Sequence, residues 1–176
     1  MKKILQQKEK VLHQVAKEVP VSDIKKIKIK KILREMSASL LEQDDGVAIA
    51  APQIGYSLRI FVVSGKIFQK DFGKKTPTEA EIKKQQGKDL VFINPKISKL
   101  SRDKEWLPEG CLSVRWLYGR TYRSKKATVT AYDEEGKKFT RGGSGLLAQI
   151  FQHETDHLNG ILFTDHAKDV KEEVPK

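Results

Sequence analysis

His153-Glu154-Thr155-Asp156-His157 constrains this chain more than any other stretch. On a helix, residues four apart lie one above the other, so two imidazoles spaced this way can reach a single metal ion. The carboxylate after the first His is set beside that ion rather than on it, where it can take a proton from water. Helix signals surround the motif. Ser144 is an N-cap candidate just before Gly145, and Asn159-Gly160 offers a stop. Leu146, Ile150, His153 and His157 follow one another at i, i+4, i+7 and i+11, so this C-terminal helix carries apolar residues and both imidazoles on one stripe. Two ligands hold a metal loosely; a hydrolytic site needs a third and leaves a fourth position open to water. The helix does not continue the motif, since residue 163 is Phe rather than His. Downstream, His166, Asp165 and Asp169 are candidates in a polar tail. Upstream stands Cys111, the only cysteine, in Pro108-Glu109-Gly110-Cys111-Leu112-Ser113. Glu-Gly before it predicts a tight turn that aims the side chain. A lone Cys is more often a small buried hydrophobe, but paired with His residues elsewhere it becomes a ligand or nucleophile candidate.

The rest of the chain reads as one catalytic domain over residues 1–176, long enough to bury a core. Ser22-Asp23 caps a predicted amphipathic helix over 24–41, with Ile24, Ile27, Leu33, Met36 and Leu40 inward and lysines outward. Residues 59–63 and 90–94 read as buried strands, the second stopped by Pro95, with Ile97–Leu100 extending the sheet beyond it. Residues 64–88 are a polar, Lys-rich surface insertion with a helical turn around Thr78 to Gln86. Asp133-Glu134-Glu135-Gly136 joins strands 127–132 and 138–141 as a hairpin. Many strands and few helices predict an α+β fold, small mixed or antiparallel sheets around the metal-binding helix. The net charge of +11 is concentrated in residues 1–34, which hold eleven Lys or Arg and three Asp or Glu. That balance favours encounters with polyanions, but the stretch lacks interleaved aromatics, so no stable nucleic-acid complex is expected. No apolar run reaches the ~20 residues of a membrane span, and the N-terminus lacks a signal-peptide core; the expected location is the cytoplasm.

Three segments in order then resemble the peptide deformylases: Gly46-Val47-Ala48-Ile49-Ala50-Ala51-Pro52-Gln53-Ile54-Gly55, Glu109-Gly110-Cys111-Leu112-Ser113, and Gln152-His153-Glu154-Thr155-Asp156-His157-Leu158-Asn159-Gly160. Weaker likeness runs from about residue 4 to residue 168. The resemblance implies removal of the N-formyl group from the formyl-methionine of nascent polypeptides, with formate released. It implies Cys111, His153 and His157 as ligands of one divalent metal, ferrous iron favoured and zinc, nickel or cobalt able to take its place. Water held at the metal would be the nucleophile and Glu154 the general base and then acid. Gln53 and the Leu112 N–H would donate to the developing oxyanion, a kind of contact whose loss typically costs about 3 kcal/mol of barrier. Gly46 and Val47 would lie beside the substrate backbone. Leu146 and Ile150, on the same face as the ligands, are expected to line the pocket for the methionine side chain. N-formylmethionyl peptides are the implied partners, met in transient encounters with the ribosome.

Two positions depart from the family pattern: Ala48 stands where a second Gly is usual, and Arg115 where Pro is common. Glu109 and Arg123 are candidates for orienting a ligand, and Trp106 and Trp116 for packing beside the Cys turn. Two rival readings are a zinc peptidase built on the same helix and a basic RNA-binding protein with a structural metal. The first lacks its third ligand in the usual place; the second would need four protein ligands, and three are in view.

Overall fold

Ile60-Phe61-Val62-Val63 has no polar position because both sides of its strand are covered. The computed structural model describes residues 2–69, 72 and 88–174. Its larger sheet runs β1 (Ala48–Ala50), β2 (Ile60–Val63), β3 (Leu90–Leu100), β6 (Lys126–Tyr132) and β7 (Lys138–Ser144) in spatial order, every ladder antiparallel. Side chains alternate across it. Ile60, Val62 and Ile93 join a core with α1 (Ile27–Leu41), while Phe61, Val63 and Phe92 join a second core with α2 (Gly145–Leu158). Stacking of Phe61 on Phe92 at 4.6 Å, and of Phe92 edge-on to Phe151 at 5.3 Å, ties α2 to the sheet. A second sheet, β4 (Lys104–Gly110), β5 (Leu117–Ser124) and β8 (Lys168–Glu172), is also antiparallel. The architecture is therefore α+β with antiparallel sheets around the C-terminal helix. Among the described residues, no helix is long and apolar enough to cross a membrane.

Several expectations are corrected. The first helix starts at Ile27, not residue 24, because Lys26 is extended. Ser22 and Asp23 belong to a preceding 3-10 turn, where Ser22 Oγ donates to Asp23 and Asp23 pairs with Lys26. The helix rotates accordingly: Ile29, Ile32, Leu33, Met36 and Leu40 face the core, and Ile27 is 86% exposed. Pro95 does not stop β3. A register shift between Ile93 and Lys96 removes the demand for an N–H at the proline. Asn94, at φ 51°, sits in that bulge and pairs its side-chain amide with both backbone groups of Val19. The helical turn expected around Thr78 to Gln86 lies outside the described residues. The hairpin after Tyr132 forms as expected, with Asp133 accepting the N–H groups of Glu135 and Lys137 and Gly136 at φ 78°.

Asn159-Gly160 does end α2. Gly160 has φ 72°, and a Cβ there would stand 2.7 Å from the His13 backbone. Gly160→Ala is therefore expected to destabilise the fold by at least about 1–2 kcal/mol from the left-handed backbone alone, read as a lowered denaturation midpoint; an unchanged midpoint would contradict the packing described.

Candidate metal centre

The two sheets and α2 meet at a cleft of about 320 Å³ whose walls include Gly46, Val47, Gln53, Cys111, Leu112, Leu146, Ile150, His153 and Glu154. Helix α2 uses two faces to reach it. Ala148, Phe151 and Leu158 are buried in the sheet core, which turns Leu146, Ile150 and His153 of the stripe towards the cleft, with His157 buried one turn beyond. Gln152 locks that orientation: its side chain accepts from the Ser124 N–H and donates to the Ser124 carbonyl, each at 2.9 Å. Leu146 is 41% exposed, so it does not serve as core packing, whereas Ile150 is buried.

Cys111 lies just after β4, in the connection to β5, where the Val114 N–H closes a turn on its carbonyl. Its Sγ stands 3.2 Å from His157 Nε2. One ligand atom each from Cys111, His153 and His157 lies within 4.8 Å of the others. His153 Nδ1 is held by Glu109 Oε1 at 2.7 Å, leaving Nε2 for the cluster. One thiolate and two imidazoles suit a borderline-soft divalent cation such as Zn²⁺ or Fe²⁺. Among the described residues the group has three members, one fewer than a closed four-ligand site needs.

Glu109 is the hub behind this group. Arg123 donates to it through Nε at 3.1 Å and Nη2 at 2.6 Å, Thr121 Oγ1 at 2.6 Å, and Arg123 Nη1 continues to Asp156 at 2.7 Å. Burial opposes the Glu109 charge, but His153 and Arg123 outweigh it and hold the carboxyl well below the usual range. Glu154 is the opposite case. Its buried Oε2 has no partner. Burial, resisted by the His153 charge and reinforced by Glu109 and Asp156, pushes its carboxyl up to about 7. Burial lowers both imidazoles; for His153 the contacts with Cys111 and Glu109 win and raise it well above the ordinary value, while for His157 the His153 charge adds to burial and holds it well below.

Gln53 sits in a 3-10 turn, Ala51–Ile54, directly after β1. Its Oε1 accepts from the Ala50 N–H at 2.8 Å, which fixes the amide so that Nε2 faces Ser113 Oγ at 3.0 Å and Cys111 Sγ at 3.7 Å. The Leu112 N–H has no hydrogen-bond partner among the described residues. Gly46 admits no side chain: a Cβ would lie 2.9 Å from both Gln43 and Leu40. Ala48 is an ordinary β1 residue opposite Val63 and lacks a left-handed φ, so its methyl group introduces no backbone strain. Arg115 does not hang free at the cleft mouth; it pairs with Asp45 and donates to Gln43 at 3.0 Å while stacking on Trp116. His166 contacts Asp156 at 3.3 Å, and neither it, Asp165 nor Asp169 joins the ligand group. Sequence reasoning gave Gln149 and Thr121 no part. Gln149 donates to the Pro108 carbonyl and to Glu109; the only signal was its place one turn before His153.

A family model described as polypeptide deformylase matches residues 1–173. The chain belongs to the polypeptide deformylase family. It is 37% identical over 166 residues to peptide deformylase 2 of Clostridium acetobutylicum, covering 94% of each chain. Among solved structures it resembles a Legionella pneumophila peptide deformylase, with TM-score 0.77, 34% identity, and coverage of 96% of this chain and 87% of that one. It also resembles the Met-Ala-Ser-bound class I type b peptide deformylase of Acinetobacter baumannii, with TM-score 0.78, 29% identity, and 94% and 98% coverage. The chain is accordingly a hydrolase of this family, acting on formylmethionyl peptides in protein biosynthesis.

Proposed function

We propose that residues 1–176 act as one catalytic domain that hydrolyses the N-formyl amide of formyl-methionyl peptides at the Cys111–His153–His157 centre. The observation that carries this reading is the convergence of three ligand atoms and an unpartnered buried carboxylate at one cleft that Gln53 and Leu112 also line. The residues fit a divalent cation, ferrous iron first and zinc, nickel or cobalt able to replace it. Bound there, the cation supplies Lewis acidity to the formyl carbonyl and to water. Cys111, His153 and His157 hold it, and Glu109 fixes the His153 ring through Nδ1. Glu154 takes a proton from the attacking water and then gives it to the leaving nitrogen, so that amide and water become formate and a free amine. Gln53 Nε2 and the Leu112 N–H stabilise the oxyanion between those two transfers. A negatively charged thiolate offsets part of the cation's charge, so Glu154 carries more of the water activation than it would in a site of three neutral imidazoles.

Substrate runs along Gly46 and Val47, with its first side chain against Leu146 and Ile150. The Met-Ala-Ser bound to the A. baumannii relative supports a methionine-led peptide. Leu146→Lys places a charge in that apolar wall and is expected to raise KM by about tenfold with the fold intact; an unchanged KM would remove Leu146 from the pocket. Encounters with the ribosome in the cytoplasm supply the substrate.

The test is formate release from a formyl-Met tripeptide by protein loaded anaerobically with Fe²⁺, beside protein stripped with a chelator. Release by the loaded protein, lost on stripping and restored by Fe²⁺, is expected. A folded, metal-loaded protein that releases no formate, or that cleaves unformylated peptides instead, would overturn the assignment.

A further inference from the structure

The three-stranded sheet segregates its charges by parity. On β4, Lys104, Trp106 and Pro108 share one face and Glu105, Leu107 and Glu109 the other. The register places Ser124, Tyr122 and Arg120 opposite the first three, and Lys168 and Lys171 of β8 opposite Arg120 and Tyr118. One face therefore gathers Lys104, Arg120, Lys168 and Lys171 around Trp106, Tyr118 and Tyr122; Glu173, whose N–H donates to the Trp116 carbonyl, is the carboxylate at its far end. Glu172 pairs with Leu117 on the opposite side, and Asp169 sits in the bulge of β8. None of the four cations forms an ion pair with a described residue.

The rings are held in the open. Trp106 is 36% and Tyr122 52% exposed, with centroids 5.2 Å apart. Lys168 lies 4.9 Å over Trp106 and Lys104 5.8 Å over Tyr122. Pro108 and Tyr118 belong to this face and also line the cleft, so it ends at the cleft mouth.

We propose that this face of the second sheet is a docking surface for single-stranded RNA. Unpaired bases offer π-faces to Trp106 and Tyr122, and phosphates meet the four unpaired cations; a duplex keeps its bases stacked and would leave the rings unused. Choosing RNA over DNA rests on the deformylase reading, because formyl-methionyl chains are made on an RNA machine. The catalytic residues take no part.

The experiment is fluorescence anisotropy of a labelled short oligouridylate, with oligothymidylate, duplex RNA and polyglutamate as comparisons, on metal-loaded full-length protein. Oligouridylate is expected to bind with a log–log salt slope near three, from about 0.7 per neutralised phosphate at four cations. Trp106→Ala and Tyr122→Ala are each expected to weaken binding about tenfold. Lys104→Glu with Lys168→Glu is expected to lower the salt slope by about one or more. All variants should release formate from a formyl-Met tripeptide as the parent does, which reports their folding. The proposal is overturned if oligouridylate fails to bind at low salt, if duplex RNA or oligothymidylate binds equally well, or if neither the ring nor the charge variants change binding. Ring-dependent capture of polyglutamate in place of RNA would overturn it too and assign the face to acidic peptides. RNA binding by a parent that releases no formate would count against the deformylase reading alone and leave this surface standing.

Discussion

Glu154→Gln is expected to lower the rate of formate release by roughly a hundred- to ten-thousandfold, the usual worth of a general acid–base group. The substitution keeps the size of the side chain but removes the ability to accept a proton. Glu154 is 3% exposed and the amide has the size of the carboxylate, so it meets little steric conflict. Metal content should stay at the parental level, because the carboxylate is outside the group of Cys111, His153 and His157. KM should change little, since the residue serves proton transfer rather than the binding of the peptide. The loss should therefore appear in kcat, measured by formate release beside metal analysis of the same sample. Near-parental turnover in the metal-loaded variant would exclude Glu154 as the base.

The second large effect is on the fold and the metal together. Glu109→Ala removes the acceptor of His153 Nδ1 and the main partner of Arg123, a guanidinium only 6% exposed. Breaking a buried pair from one side leaves an uncompensated charge and typically costs about 3–5 kcal/mol. Asp156 still reaches Arg123 Nη1, which places the expected loss at the lower end of that range. Releasing the His153 ring should also weaken metal binding by about 10- to 100-fold. Denaturation of the loaded protein reads the first effect and competition with a chelator the second. Glu109→Gln, which keeps the shape and one acceptor oxygen, should recover part of both. Parental stability and metal retention in Glu109→Ala would mean that Glu109 neither balances Arg123 nor orients His153.

How far these residues were legible from the sequence follows from the range of the interactions that place them. His153 and His157 announce themselves because a helix relates residues four apart by a fixed rotation, and Leu146 and Ile150 fall on the same stripe for the same reason. The strand at Ile60–Val63 and the turn at Asp133–Gly136 are equally local. β4 and β5 were not legible as strands, because their inward positions carry Glu109, Thr121 and Arg123 in place of apolar residues. A polar network that satisfies itself inside the protein looks, as a string, like a solvated loop. β8 was missed because all five of its residues are exposed. The break expected at Pro95 failed because a bulge, anchored by Asn94 to Val19, lets the strand pass through a residue without an N–H.

The sequence by itself therefore determined the helix that carries His153 and His157, the apolar strands and the placing of a carboxylate beside two imidazoles, all of which depend on periodicity and near neighbours. Its likeness to a family suggested the partners of that helix. Tertiary structure decided which side of α2 meets the cleft, through the burial of Phe151 and the clamp of Gln152 on Ser124. It alone brought Cys111 within 3.2 Å of His157, across 46 positions of chain, and turned Glu109 and Arg123 into one buried network. It also gathered the cations and rings of the second sheet on one face. Such long-range neighbours follow from strand register and core packing, which are set by the fold as a whole rather than by any segment.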